Sequence, residues 1–278
     1  HGFALDSEGR KMSKSLGNVV APEEVIAKVG VDVLRLYILS ANAPWDDLKF
    51  NWEGVKTVNR AVNILWNVYR FPLPYMILDG YAPPEDGKGR FDPSRILENL
   101  ARMAPEDRWI LSRIETLSVE VGRAMEVCEL HRATRGVLEF ILEDLSRWYV
   151  QLVRPRMWLE EDSPSKRHAY DTIYLVMRRL VQLLSPFTPH LAEEIYGNLR
   201  LKGEPGSVHF LDWPAGTAAL ADPALERAMA VVRSFDDAVA NARQAAKRKL
   251  RWPVAEVVVE TSSPDVAVAL RELAGIAR

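Results

Sequence analysis

Five stretches of this sequence repeat apolar residues at spacings of three and four, and most of them end at a proline. Val55, Val58, Val62, Leu65 and Tyr69 form the first. Ile110, Ile114, Leu117, Val121, Ala124 and Cys128 form the second. Leu138, Ile141, Leu145, Trp148 and Leu152 form the third, Ile173, Val176, Leu180 and Leu184 the fourth, and Leu191 with Ile195 the fifth. This period places each set on one face of a helix. An apolar helical stripe must be buried, and several stripes in succession bury one another most simply as an antiparallel helix bundle. Pro72 with Pro74 and Ser185-Pro186 are the expected helix stops, and Pro155 is expected to disturb or end the third helix.

The flanks read differently. Phe3-Ala4-Leu5 suggests a short strand, and Asp6-Ser7-Glu8-Gly9 is turn chemistry. Pro22-Glu23-Glu24 opens a helix that Gly30 ends, and a second runs from Asp32 toward Pro44. Residues 79–95, rich in Gly, Pro and Asp, read as a loop. Past Gly203-Glu204-Pro205-Gly206 come a helix over 223–249, a buried strand VAEVVVETS (254–262) and a short helix over 265–277.

Net charge is −2, so any polyanion site is a local basic patch on a near-neutral body. The single cysteine, Cys128, excludes an internal disulfide and argues against a cysteine-based metal site. His131, His168, His190 and His209 lack ligand spacing, so no metal site is expected. No apolar run is long enough to span a bilayer, and His1-Gly2-Phe3 begins no signal pattern. A cytoplasmic setting is the expectation.

GRKMSKSLGN (9–18) gathers Arg10, Lys11 and Lys14 with Ser13 and Ser15 between glycines. Lysines supply charge, serines supply hydrogen bonds, and Gly17 lets backbone approach closely, which together suit a phosphate chain. The Walker spacing is absent. A lone K-x-x-K is usually a solvated turn. The full string, D-x-x-G-R-K-M-S-K-S-L-G-N, resembles the second signature of class I aminoacyl-tRNA synthetases.

The likeness extends over nearly the whole chain. Segments 30–56 and 63–76 resemble the isoleucyl type of archaea and eukaryotes, while 146–158, 183–199, 207–214 and 249–254 resemble the anticodon-binding helical domain of the isoleucyl, valyl and leucyl group. The resemblance implies a mainly α fold in three parts. Residues 1–50 would be the end of a Rossmann-type catalytic domain, 51–205 an anticodon-binding antiparallel bundle, and 206–278 the start of a small α+β domain. It implies ATP as substrate, carried with Mg2+, and isoleucine tRNA as partner of a monomer. Lys11 and Lys14 would act on the leaving pyrophosphate, within an ATP-closing loop of Lys11, Met12, Ser13, Lys14 and Ser15. The histidine signature that such enzymes carry upstream is not in this sequence, so a piece of a longer enzyme, inactive alone, is expected.

Anticodon bases need stacking surfaces beside charged or amide groups. Asn67, Arg70, Arg154, Arg156 and Trp158 offer these at helix ends. Arg243, Lys247, Arg248 and Arg251 form a second basic cluster, suited to stem phosphates. Trp66 and Trp148 lie on apolar stripes and read as core. A valyl or leucyl enzyme, or a non-catalytic helical RNA- or protein-interaction module, would also fit these patterns.

Overall fold

The computed structural model describes residues 2–214, 216–249, 252 and 256–276. Strand β1 (Ala4–Leu5) and strand β2 (Leu48–Lys49) pair in parallel, Ala4 opposite Leu48 and Leu5 opposite Lys49. Parallel strands need a long crossover. Here α1 (Pro22–Val29) and α2 (Val31–Ala41) supply it, separated by Gly30 at φ +87°. Turn chemistry and helix signals therefore produced the expected elements at this end.

Helix α3 (Trp52–Arg70) is capped by Asn51, whose Oδ1 accepts from the Gly54 N–H at 2.6 Å. It buries Val55, Val58, Leu65 and Tyr69. Pro72 and Pro74 do not simply end the helical run. They begin α4 (Leu73–Leu78), in a first turn whose N–H groups have no partner to lose. After α5 (Ser94–Asn99), α6 (Pro105–Glu126) buries Trp109, Ile110, Ile114, Leu117 and Val121. Cys128 leaves that stripe: it lies past the helix end, exposed, at φ +58°.

Helix α7 (Leu130–Glu139) runs through a π-helical segment (Phe140–Tyr149) directly into α8 (Val150–Trp158). Pro155 does not end this rod. It is exposed, while Val150, Val153 and Met157 are buried beside it, so packing carries the helix past the one missing backbone donor. Helix α9 (Pro164–Leu184) is buried on nearly every face, with Tyr170, Val176, Leu180 and Val181 fully enclosed. Helix α10 (Pro189–Leu199) returns along it. Helix α9 occupies the core centre, and the charged residues it buries, Lys166, Asp171 and Arg178, are each paired.

Helix α11 (Pro223–Ala245) docks on the bundle through Met229 and Val232, and α12 (Pro264–Glu272) follows. Ion pairs fix α11. Arg113 of α6 bridges Asp144 and Glu226 at 3.0 Å each, and Arg233 of α11 pairs with Asp144. Its end lies at Ala245, not Lys249, and Lys247 turns left-handed at φ +53°. The strand expected over 254–262 is corrected. Residues 253–255 lie outside the described residues, and 256–261 form no strand. Val257, Val258 and Val259 are 47%, 72% and 44% exposed. A strand needs a neighbour for its backbone groups, and no described strand lies beside this one. Among the described residues no helix is long and apolar enough to cross a membrane.

Candidate functional site

The lysine loop is built around one carboxylate. Asp6 Oδ1 accepts from the N–H groups of Glu8 (3.0 Å) and Arg10 (2.8 Å). Its Oδ2 accepts from Arg10 Nε and Asn18 Nδ2, both at 2.9 Å. Asn18 then ties the far side: its Oδ1 accepts from the Ser13 N–H at 2.8 Å, and its Nδ2 also donates to the Lys11 carbonyl at 3.3 Å. The Asn18 hydrogen bond, followed by the Arg10 N–H, holds the Asp6 carboxyl well below the usual carboxylate range. Gly9 at φ +81° makes the turn, and Gly17 at φ +64° closes the short 3-10 turn Lys14–Leu16. Ser13 caps that turn, its Oγ accepting from the Ser15 N–H at 3.3 Å and lying 2.7 Å from Ser15 Oγ.

Two cations remain. Lys11 and Lys14 are exposed and enter no ion pair among the described residues. Arg10 differs, because Asp6 and Glu8 engage it at 2.9 and 3.0 Å. It is part of the scaffold. Met12 packs against the core beneath the loop. The loop thus presents two lysine ammoniums on a frame whose own charges are satisfied. The sequence reading missed Asp6 and Asn18 as the frame. Asp6 was signalled by D-x-x-G, an Asp bonding to backbone two residues on. Asn18 reaches across 12 residues and had no local signal.

The ends of α3 and α8 meet at one end of the bundle. The Arg154 guanidinium lies 5.2 Å from the Phe71 ring centre and 5.6 Å from that of Trp158. Its Nε is buried without a hydrogen-bond partner among the described residues. Asn67 and Arg70 are exposed in the last turn of α3, and Trp158 is 55% exposed. Lys166 closes the edge, donating to the Leu159 carbonyl at 2.6 Å and pairing with Asp79 at 2.5 Å. Arg156 has another task. Its two terminal nitrogens grip Asp107 at 2.9 and 2.7 Å, and Tyr149 donates to the same carboxylate at 2.9 Å. Asp107 is fully buried, so Arg156 neutralises an interior charge. Burial works against the Arg156 charge, but Asp107 outweighs it and the guanidinium pKa is raised. Trp148 is core: its indole N–H faces Met229 Sδ at 3.2 Å. Trp66 is half-buried against Tyr69.

In the second basic cluster, Arg243 Nη2 donates to the carbonyls of Lys249 (2.8 Å) and Trp252, so this arginine shapes the turn after α11. Lys247 and Arg248 are exposed, and Arg251 lies outside the described residues. Among the other groups, Asp32 caps α10 by accepting from the Leu191 N–H at 2.7 Å, with His190 Nδ1 at 3.3 Å. Glu193 holds the Ser207 hydroxyl and the Val208 N–H at 2.9 and 3.0 Å, so it braces the following loop.

Residues 107–259, more than half of the chain, match the family described as the anticodon-binding domain of tRNA ligase. The chain belongs to that family. Residues 1–51, the segment that holds the lysine loop, match the family described as tRNA synthetases class I (I, L, M and V). It is 67% identical over 98% of its length to the isoleucine–tRNA ligase of Methanoregula boonei, and 65% identical over 100% to that of Methanoculleus marisnigri. It spans only 25% and 26% of those two relatives. Its fold is similar to that of Agrobacterium radiobacter LeuRS in a ternary complex with tRNA and LeuAMS, at TM-score 0.57 and 20% identity, over 80% of this chain and 24% of that one. It is also similar to Mycobacterium tuberculosis methionyl-tRNA synthetase bound by methionyl-adenylate, at TM-score 0.54 and 22% identity, over 78% and 42%. The chain thus joins a lysine loop on a two-strand α/β unit to a helical anticodon-binding domain.

Proposed function

We propose that this chain is the lysine-loop and anticodon-binding portion of an isoleucine–tRNA ligase, a soluble cytoplasmic monomer that activates isoleucine with ATP and esterifies it to isoleucine tRNA. The observation that carries the proposal is the pair of uncommitted lysines on the Asp6–Asn18 frame, in a chain so similar to isoleucine–tRNA ligases. In the activation step an isoleucine carboxylate oxygen attacks the α-phosphorus of ATP. The α–β bridging bond breaks, and pyrophosphate leaves with the electron pair. Negative charge grows on the leaving group, and Lys11 and Lys14 meet it with cations already in place. Ser13, Ser15 and the backbone at Met12 would line the same phosphate path. Mg2+ would arrive with ATP. Among the described residues no three His, Cys, Asp or Glu side chains converge to hold a metal.

The proposed division of the chain follows the same logic. Residues 1–50 end the catalytic domain, 51–205 read the anticodon, and 206–278 open a further domain. Asn67, Arg70, Arg154 and Trp158 are the proposed base contacts, Trp158 as a stacking face beside the Arg154 guanidinium. Lys247 and Arg248 would meet stem phosphates. Arg156 and Arg243 are assigned to hold these groups in place.

The test uses the full-length protein. It should exchange pyrophosphate into ATP with isoleucine, and with valine far less well. Trp158→Ala should weaken binding of isoleucine tRNA by about tenfold, the order of one lost base stack. No isoleucine-dependent exchange in the wild-type protein would refute the assignment.

A further inference from the structure

Helix α2 is tied to the bundle at both ends by directional bonds. The last carbonyls of a helix have no partner inside it. In α2 those of Ser40 and Ala41 are taken by Arg135 of α7; the hydroxyl of its neighbour Thr134 lies 3.1 Å from Leu39 O but has a nearer acceptor in Leu130 O at 2.8 Å. Arg135 Nε donates to Ser40 O at 2.7 Å and its Nη2 to Ala41 O. At the other end, Arg35 donates to Pro186 O at 2.9 Å and Phe187 O at 3.3 Å, in the turn between α9 and α10. Asp32 caps α10 from the same end.

From α2 the chain enters β2, which pairs with β1, the strand that leads into the lysine loop: Leu48 N–H donates to Phe3 O at 2.8 Å and Phe50 N–H to Leu5 O at 2.9 Å. The residue after β1 is Asp6, the centre of the loop frame. Apolar packing between α2 and α7 is strong but non-directional, and tolerates small slides and rotations. Two bonds from one planar guanidinium to successive carbonyls do not.

We infer that Arg135 is a positioning residue, which fixes the orientation of the lysine-loop unit against the anticodon-binding bundle so that a tRNA held by the bundle meets the loop's active site in register. The inference rests on the ligase reading above. A fixed spacing serves the step that joins two distant parts of one RNA, and misplacement there lowers rate steeply. It should matter little for adenylate formation, which needs no grip on the bundle.

The experiment compares full-length wild-type protein with Arg135→Ala. Pyrophosphate exchange without tRNA should stay within about twofold, while single-turnover transfer to tRNA falls about tenfold at saturating tRNA, less than the roughly hundredfold that a 1 Å misplacement can cost. tRNA affinity should be unchanged, because no proposed RNA contact is touched. Arg135→Lys, which can reach one carbonyl, should recover part of the loss. If Arg135→Ala folds poorly, Arg135→Met keeps much of the stem and removes both donors, and should shift the same ratio in the same direction. Equal losses in exchange and transfer, or unchanged transfer, would overturn the inference alone. Wild-type protein that forms no isoleucyl adenylate would overturn the ligase reading and the inference with it.

Discussion

Asp6 and Asp86 open two turns with the same hydrogen bonds and different fates. In D-S-E-G-R the Asp6 N–H donates to Arg10 O at 2.9 Å, and in D-G-K-G-R the Asp86 N–H donates to Arg90 O at 2.8 Å. Gly9 and Gly89 each donate back to their aspartate carbonyl, at 3.0 and 3.1 Å. Each carboxylate accepts from the N–H groups two and four residues on. Both glycines are left-handed, at φ +81° and +71°. The surroundings then diverge. The second turn is pinned: Gly203 donates to Gly89 O at 2.9 Å, and Phe91 donates to Glu204 at 3.2 Å while packing beside Arg178 and Tyr174. The first is followed by Lys11 and Lys14, whose ammoniums nothing described engages. One local code makes both turns, and contacts from distant segments decide which becomes scaffold.

The largest expected effect separates the two turns by chemistry. In the full-length protein Lys14→Ala should lower pyrophosphate exchange by about one to two decades, the loss of one charge-assisted bond to the transition state. Lys88→Ala, at the pinned turn, should leave it unchanged. Equal responses at both sites would erase the distinction.

Next comes packing. A Cβ on Gly203 would sit 1.9 Å from the Lys88 carbonyl oxygen, so Gly203→Ala must push two loops apart. A loss of about 1–3 kcal/mol in urea unfolding is expected. Gly17 has nothing within 4 Å of its added Cβ, and only its φ of +64° opposes a side chain. Gly17→Ala should cost about 1 kcal/mol in the same measurement. A reversed order would show that the first turn is the more tightly held.

The smallest effect is in pH. The Asn18 bond and then the Arg10 N–H lower the Asp6 pKa, and the N–H groups of Arg90 and Lys88 lower that of Asp86. A carboxyl pKa lowered on folding adds stability above the unfolded value, and that stability drains as pH falls through the folded one. Both turns should therefore stay intact above about pH 4 and loosen only below it. Carboxyl carbon titration by NMR should place both midpoints under 3.8, the free value. A normal midpoint for Asp6 alone would break the likeness of the two frames.

Much of the bundle was legible because helical period is a local property. Leu65, Ile114, Leu145, Val176 and Ile195 are all buried as their spacing required. The failures share a cause. Pro155 reads as a break by local rule, yet three buried neighbours override it. VVV at 257–259 reads as a strand, yet pairing depends on a second segment. Arg154 and Arg156 are two residues apart in one basic run. Only the fold turns one toward Phe71 and Trp158 and the other onto the buried carboxylate of Asp107.

By itself, then, the sequence determined the helices, their apolar faces, both aspartate turns and the identity of the lysine-rich loop. Each depends on residues within a few positions of one another, where backbone geometry and side-chain reach act directly. Tertiary structure decided which charges are spent and which remain. Arg10, Arg113, Arg135, Arg156 and Arg178 each satisfy a nearby carboxylate or carbonyl, while Lys11 and Lys14 engage none among the described residues. Whether a cation is scaffold or site depends on what lies within about 4 Å of it, and most of those partners are distant in sequence.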